Sequence, residues 1–307
     1  MTATNNTATG QTTTDYTLFV NPRAGRGGAP RLAEAVARVL RAAGRHCDVA
    51  LHPSPEAALA HAQTLPQGTA IVPVGGDGTV SALLPAAVCT GRPFGLVPAG
   101  RGNDFAYALG WRRWTPERIA ERLQRETRAL DVLRVTLGGR TRYSLNGFGM
   151  GFDAQVAAYA AEMPRSLGGF GSYAAGVVLA FRDLRQQALT VTVDGAEVFS
   201  GLSFLGAVMN GRRYGGGFHI SPEGELTDGR LELIVGRAVG RAGLVPLIAR
   251  LLFGQHLKHP RVVYARGQRA SLHWAVPVKL HLDGDLHPAT GDVQVEVVPK
   301  SVRVLGA

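Results

Sequence analysis

The chain of 307 residues has only two cysteines, Cys47 and Cys89, and only three lysines, Lys258, Lys279 and Lys300. Two isolated cysteines build neither a disulfide framework nor a zinc site, which fits a reducing cytosol. With no lysine before position 258 the Gly-Lys pair of the Walker phosphate loop is missing, so that nucleotide motif is excluded. No apolar run reaches the roughly 18 residues of a membrane-spanning helix. Residues 1–14 are rich in threonine and asparagine and have no apolar core, so they read as a disordered tail rather than a signal peptide. The zinc, disulfide and membrane-spanning classes therefore drop out.

What is present is an ordinary globular balance, 45% hydrophobic and 18% charged, with a formal charge of +10 carried almost entirely by arginine. A compositional bias towards arginine explains that charge as well as an attraction to phosphates, acidic head groups or nucleic acid does. No interleaving of aromatic and basic residues supports specific nucleic-acid binding.

Residues 16–20, YTLFV, read as a strand, and residues 30–43 carry Leu32, Ala35, Val36, Val39 and Leu40 at helical spacing. Strand and helix candidates then alternate at 47–51, 55–65, 70–74, 79–88 and 94–97, the grammar of a parallel sheet covered by helices. Beyond Asp131 the pattern changes to short strands and hairpin signals, with Asp194-Gly195 suiting a type I′ turn between 190–193 and 197–199. Further strands are expected at 204–209, 230–236, 262–265, 270–273 and 278–282, and helices near 173–185 and 242–253. The fold class is thus α/β in two domains: a disordered tail at 1–14, a nucleotide-binding α/β unit at 15–131, and a β-rich, sandwich-like unit at 132–298 across a cleft.

Two glycine-rich loops follow apolar strands in the first half. Gly75-Gly76-Asp77-Gly78-Thr79 follows 70–74, and Gly100-Arg101-Gly102-Asn103-Asp104 follows 94–97. Glycine lets backbone amides approach a phosphate, and the helix that follows adds its positive end. In open sheets of this kind ligands sit beyond the carboxyl ends of the strands, where these loops fall. The Rossmann fingerprint fails, because residues 76–81 lack its final glycine. An aspartate inside a phosphate loop would repel an anion, so Asp77 points to metal-assisted nucleotide binding, although a plain Asp-Gly turn is the simpler alternative. Arg23, Arg26 and Arg101 are the cations available in these loops.

Asn21-Pro22…Gly25, the GGDGT loop and Gly102-Asn103-Asp104-Phe105-Ala106 together resemble the diacylglycerol kinase catalytic-domain family of bacterial lipid kinases, related to sphingosine and ceramide kinases. The likeness continues in order through Asn146…Asp153, Asn210…Gly217, Leu226-Thr227-Asp228-Gly229 and Asp283-Gly284-Asp285. The resemblance implies an active site between the two domains, ATP and Mg2+ as cofactors, and a final segment near 299–307 that returns to the first domain. It implies that Asn21, Gly75, Gly76, Asp77, Gly78, Thr79, Gly100, Arg101, Gly102 and Asn103 bind the nucleotide. It implies Asp283 as the general base for a lipid hydroxyl, with Asp285 as an acidic magnesium partner beside Asp77. Asp228 resembles part of a second, structural metal site, with Asp104 nearby.

The sequence departs from the family in places. Ser81-Ala82 replace an Asn-Glu pair, Arg101 replaces a hydroxyl residue, Ala24 replaces a serine, and Asp285 stands for glutamate. For Asp283-Gly284 a hairpin turn is an equal reading. His281 and His287 flank it, and an exposed strand end explains them better than a transition-metal site. Apolar faces at 179–184 and 247–253 suit core packing or an acyl-chain cleft, and Arg237, Arg241 and Arg250 suit a solvated face or anionic head groups.

The function expected is an ATP- and magnesium-dependent lipid kinase acting on diacylglycerol or a related glycerolipid. The alternatives are a soluble NAD kinase-like enzyme and a catalytically impaired lipid- or nucleotide-binding regulator. The expected partner is a membrane lipid reached by peripheral association at the inner membrane surface from the cytoplasm; a homodimer stays open.

Overall fold

The computed structural model describes residues 15–112 and 114–307, so the tail expected at 1–14 lies outside the described residues. The first half runs β1 (Tyr16–Val20), α1 (Ala29–Ala42), β2 (Cys47–Leu51), α2 (Pro55–Thr64), β3 (Ala70–Gly75) and α3 (Asp77–Thr90). Short strands β4 (Pro93–Phe94) and β5 (Val97–Pro98) follow, then α4 (Asp104–Ala108) and α5 (Pro116–Leu123). Strand β1 is the hydrogen-bonded centre, parallel to β2 on one side and β3 on the other. Both faces of β1 are covered, so all five of its residues are buried and, Thr17 apart, it is apolar rather than alternating. Helix α1 buries Ala29, Ala33, Val36, Ala37 and Leu40, one stripe at a period near 3.6. Ser54 and Thr115 cap α2 and α5 by accepting from Ala57 N and Arg118 N.

The second half runs β6 (Thr127–Leu137), β7 (Arg140–Ser144), β8 (Gly147–Gly151), α6 (Phe152–Glu162), α7 (Gly168–Arg182), β9 (Gln187–Val193) and β10 (Ala196–Met209). It ends with β11 (Leu231–Arg237), α8 (Arg241–Leu252), β12 (Val262–Gly267), β13 (Arg269–Leu282) and β14 (Asp285–Leu305). These strands pair antiparallel, and Asp194 and Gly195 take the positive φ values of 49° and 86° that the expected tight turn requires. Strands expected separately at 197–199 and 204–209 are one strand, β10, which absorbs a register shift between Ser203 and Leu205.

Strand β14 joins the two halves. It pairs antiparallel with β13 and β6, and its last residues then run parallel to β4, Arg303 opposite Pro93 and Val304 opposite Phe94. The far end is anchored by Trp111, whose buried indole N–H donates to Gly306 O at 3.2 Å.

Three helices were not anticipated. Helix α6 is concealed because Gly151, at φ 77°, ends β8 without a loop, and α4 and α5 are too short to show a period. Helix α7 begins at Gly168, five residues before the expected start, through a glycine-rich turn that reads as loop.

Candidate active site

Beyond the carboxyl ends of β1, β3 and β5 lies a cleft of ≈ 1200 Å³. Asn21, Gly76, Thr79, Gly100, Arg101 and Asp285 are among the residues that line it, with Arg23 and Arg26 at its first loop. The two glycine loops touch through their backbones. A Cβ on Gly100 would lie 2.4 Å from Gly76 Cα, and one on Gly75 would lie 2.2 Å from Thr79 Oγ1. Any side chain at Gly100 would push the loops apart, so glycine is required there by contact.

Side chains hold these loops in place. Asn103, at φ 50°, accepts from Gly100 N (2.7 Å) and donates to Gly100 O (3.0 Å), closing the second loop on itself. Asn21 donates to Thr79 Oγ1 at 3.2 Å and accepts from Arg23 N at 3.0 Å, tying the first loop to the start of α3. Gly76 is the N-cap of α3, so the helix's free amides and positive end face the cleft.

Asp77 and Asp104 converge beside Gly102, where a Cβ would lie 3.2 Å from an oxygen of each. Asp77 also accepts from Phe105 N at 3.1 Å. Burial, and after it the charge of Asp104, raises the Asp77 carboxyl above the ordinary carboxylate range. Burial likewise raises Asp104, opposed by the Gly216 N–H (2.8 Å) and by Arg213, which reaches it at 3.2 Å. Two crowded carboxylate oxygens, from the first residues of α3 and α4, are a donor set suited to a hard divalent cation.

Asp283 and Asp285 differ sharply. Asp283 and Gly284 are the two turn residues between β13 and β14, both at positive φ (45° and 90°). The hairpin turn and the special aspartate are therefore the same object. The buried Asp283 carboxylate accepts from Ser144 Oγ (2.8 Å), Asn146 N (2.9 Å) and Gly147 N (3.1 Å) on one oxygen. The other oxygen accepts from Leu145 N (3.0 Å) and Ser81 Oγ (3.1 Å). Five donors occupy the lone pairs that would receive a proton. Here the geometry departs from the expectation of Asp283 as general base: the residue is a buried acceptor that fixes the turn to β7, β8 and α3.

Asp285 instead lines the cleft and keeps a solvent-facing side. Its carboxylate packs against Gly78 in the first turn of α3, where a Cβ would lie 2.6 Å from Oδ1. Crowding by protein atoms, and then the neighbouring Asp283 charge, pushes its carboxyl up to about 6.

Asp228 accepts from Arg230 N (3.0 Å) and pairs with Arg266, whereas Asp104 is engaged by Arg213 and by Gly216 N. No group of three or more His, Cys, Asp or Glu among the described residues is arranged around a metal position.

Several residues were missed in the sequence. Ser144 and Ser81 bond Asp283 and Arg213 pairs with Asp104, yet Ser81 showed only as a departure from the family pattern and Arg213 as one letter of a glycine-rich motif. His281 Nδ1 accepts from Gly284 N (3.3 Å), so its Nε2 carries the proton and faces Asp153 at 3.3 Å; Tyr214 donates to the same carboxylate. Both ring nitrogens are engaged, and His281 is fully buried rather than at the exposed strand end expected of it.

The diacylglycerol kinase catalytic domain family matches residues 15–135, and the YegS C-terminal NAD kinase beta sandwich-like domain family matches residues 147–306. The diacylglycerol kinase of Mycobacterium tuberculosis (strain ATCC 25618 / H37Rv) is 28% identical over 294 residues, covering 94% of each chain. The Chromohalobacter salexigens protein named "Probable lipid kinase YegS-like" is 32% identical over 230 residues, covering 73% of this chain and 71% of its own. A crystal structure of a diacylglycerol kinase from Bacillus anthracis str. Sterne superposes with a TM-score of 0.72 at 20% identity, covering 95% of this chain and 96% of that one, a likeness of fold.

Proposed function

The chain belongs to the bacterial lipid-kinase family that joins a diacylglycerol kinase catalytic domain to a YegS-type C-terminal domain, and from that premise we propose that it moves the γ-phosphoryl group of ATP to the hydroxyl of diacylglycerol or a related glycerolipid. Its kinase class follows from the catalytic domain. The observation that carries the more specific reading is the contact of Asp285 with Gly78, which brings a cleft-facing carboxylate to the amide end of α3 between the two glycine loops.

In this reading the GGDGT loop and the Gly100–Asn103 turn hold the ATP phosphates through backbone amides and the α3 N-terminus. Arg23, Arg26 and Arg101 supply positive charge around the transferring group. Asp77 and Asp104 would hold magnesium, which supplies charge neutralisation on the phosphates when bound. The lipid hydroxyl oxygen forms the new bond to the γ-phosphorus as the bond to the β,γ-bridging oxygen breaks, and ADP leaves with that electron pair. The hydroxyl proton passes to Asp285, which with a carboxyl titrating at about 6 is mostly ionised at neutral pH. Asp283 does not take the proton; it positions the turn from which Asp285 projects.

The test is transfer of radiolabel from ATP with magnesium to a mixed-micelle panel of diacylglycerol, monoacylglycerol, phosphatidylglycerol, sphingosine, ceramide and undecaprenol, with NAD as a soluble control. A labelled glycerolipid that disappears in Asp285→Asn is the expected result. Label on NAD alone, or on no acceptor, would overturn the reading.

A further inference from the structure

The outer face of α8 is apolar where a surface helix is normally polar. Its inner face is accounted for: Leu244 and Leu247 are buried against Phe204, with Phe152 and Phe181 packed beside them. The opposite face carries Ala242, Val245, Pro246, Ala249, Leu252 and Phe253, spaced at three, one, three, three and one residues, and all are exposed. Phe253 is 78% exposed, Val245 56% and Leu252 45%. A surface helix ordinarily turns a polar face to solvent, and contiguous large apolar side chains such as these mark an interaction surface. No described helix is long and apolar enough to cross a membrane.

Charge decides what lies against this face. From residue 233 to residue 282 the chain contains no aspartate or glutamate, while Arg237, Arg241, Arg250, Lys258, Arg261, Arg266, Arg269 and Lys279 fall within that span. Arg241 and Arg250 are exposed on α8 itself, and Lys258 lies just beyond it. Among the described residues none of these three lies within 4 Å of a carboxylate; Arg241 donates instead to the carbonyl of Arg182 at the end of α7 (2.9 Å). Unpaired cations beside an exposed apolar stripe are the pattern of a helix lying in the plane of an anionic bilayer. A second copy of the chain is disfavoured, because a symmetric contact would bring the same cations together.

We propose that α8 is a peripheral membrane-docking helix, which seats Val245, Leu252 and Phe253 among acyl chains while Arg241, Arg250 and Lys258 meet anionic lipid phosphates. The inference deepens the lipid-kinase reading by assigning the surface through which a lipid-bearing membrane is met, and it does not involve the cleft residues.

The experiment is co-sedimentation of the full chain with vesicles of phosphatidylcholine alone or of phosphatidylcholine with phosphatidylglycerol. The wild type binds the phosphatidylglycerol vesicles at least about tenfold more tightly. The triple variant Val245→Ser, Leu252→Ser, Phe253→Ser, with an unchanged circular dichroism spectrum, loses about tenfold or more of that binding. The pair Arg250→Glu, Lys258→Glu loses the preference for phosphatidylglycerol. Both variants keep wild-type label transfer to detergent-dispersed lipid, because detergent removes the need to dock. Vesicle binding unchanged in both variants overturns the proposal, as does a dimer in solution that the triple variant converts to monomer. Binding that depends on α8 without label transfer to any lipid upholds the docking helix and sinks the kinase reading instead.

Discussion

The hydroxyl of Ser81 donates to Oδ2 of Asp283 across 3.1 Å, joining α3 in the first half of the chain to the β13–β14 turn in the second. The two residues are 202 positions apart in the chain. Ser81→Ala is expected to lower stability by about 1 kcal/mol, the loss of one partly buried hydrogen bond. Urea denaturation measures it.

Asp283→Asn has a larger and different effect. The amide presents one acceptor and one donor group to five donors, so at least one buried N–H or O–H faces an N–H. A stability loss of about 3 kcal/mol is expected, with turnover falling because the turn moves. Asp285→Asn leaves stability near wild type and lowers kcat by about 100-fold or more, the usual contribution of a positioned proton acceptor. A native-like melt for Asp283→Asn together with full activity in Asp285→Asn would reverse these assignments.

Contact between the glycine loops gives a sharper steric test. Gly100→Ala places a methyl 2.4 Å from Gly76 Cα and is expected to cost about 1–3 kcal/mol of stability. ATP affinity falls with it, because the phosphate-facing amides separate. Gly240→Ala, at φ −69° and with no neighbour within 4 Å, changes neither quantity. Thermal melts and equilibrium dialysis with ATP compare the two variants.

A pH dependence arises from Glu232. Its side chain is fully buried in β11, with Arg266 at 3.3 Å and no well-aligned donor on either oxygen among the described residues. Burial pushes its carboxyl up to about 8, against the pull of Arg266. The unfolded chain loses this proton near the ordinary glutamate value of about 4.3, whereas the folded chain keeps it until about 8. Between those values the folded state binds more protons, so stability falls as pH rises, and it levels off above the folded value. In Glu232→Gln that descent is absent. Urea midpoints from pH 5 to pH 9 in chelating buffer decide the point, and parallel slopes for wild type and variant would refute it.

The sequence by itself determined the fold class and the location of the loops. Tyr16–Val20 and Ala70–Gly75 are buried on every residue because helices cover both faces of their sheet, and their apolar runs, broken only by Thr17, are a local pattern. The glycines at 75, 76, 100 and 102 were legible because the requirement they meet, room for close backbone approach, leaves a one-letter trace. The roles of Asp283 and Asp285 left no such trace. Both sit in one Asp-Gly-Asp tripeptide, and only the fold brings Ser81, Ser144 and three consecutive amides onto the first while leaving the second at the cleft. The same holds for α8: residues 242–253 read equally as core or as surface, because a helix with apolar residues on every side announces no direction. Which side found Phe204 and which found solvent was decided by the packing of β10 and α7 against it. Periodicity and steric need are properties of neighbouring residues and can be read in order. Hydrogen-bond partners 137 or 202 positions away exist only once the chain has closed on itself.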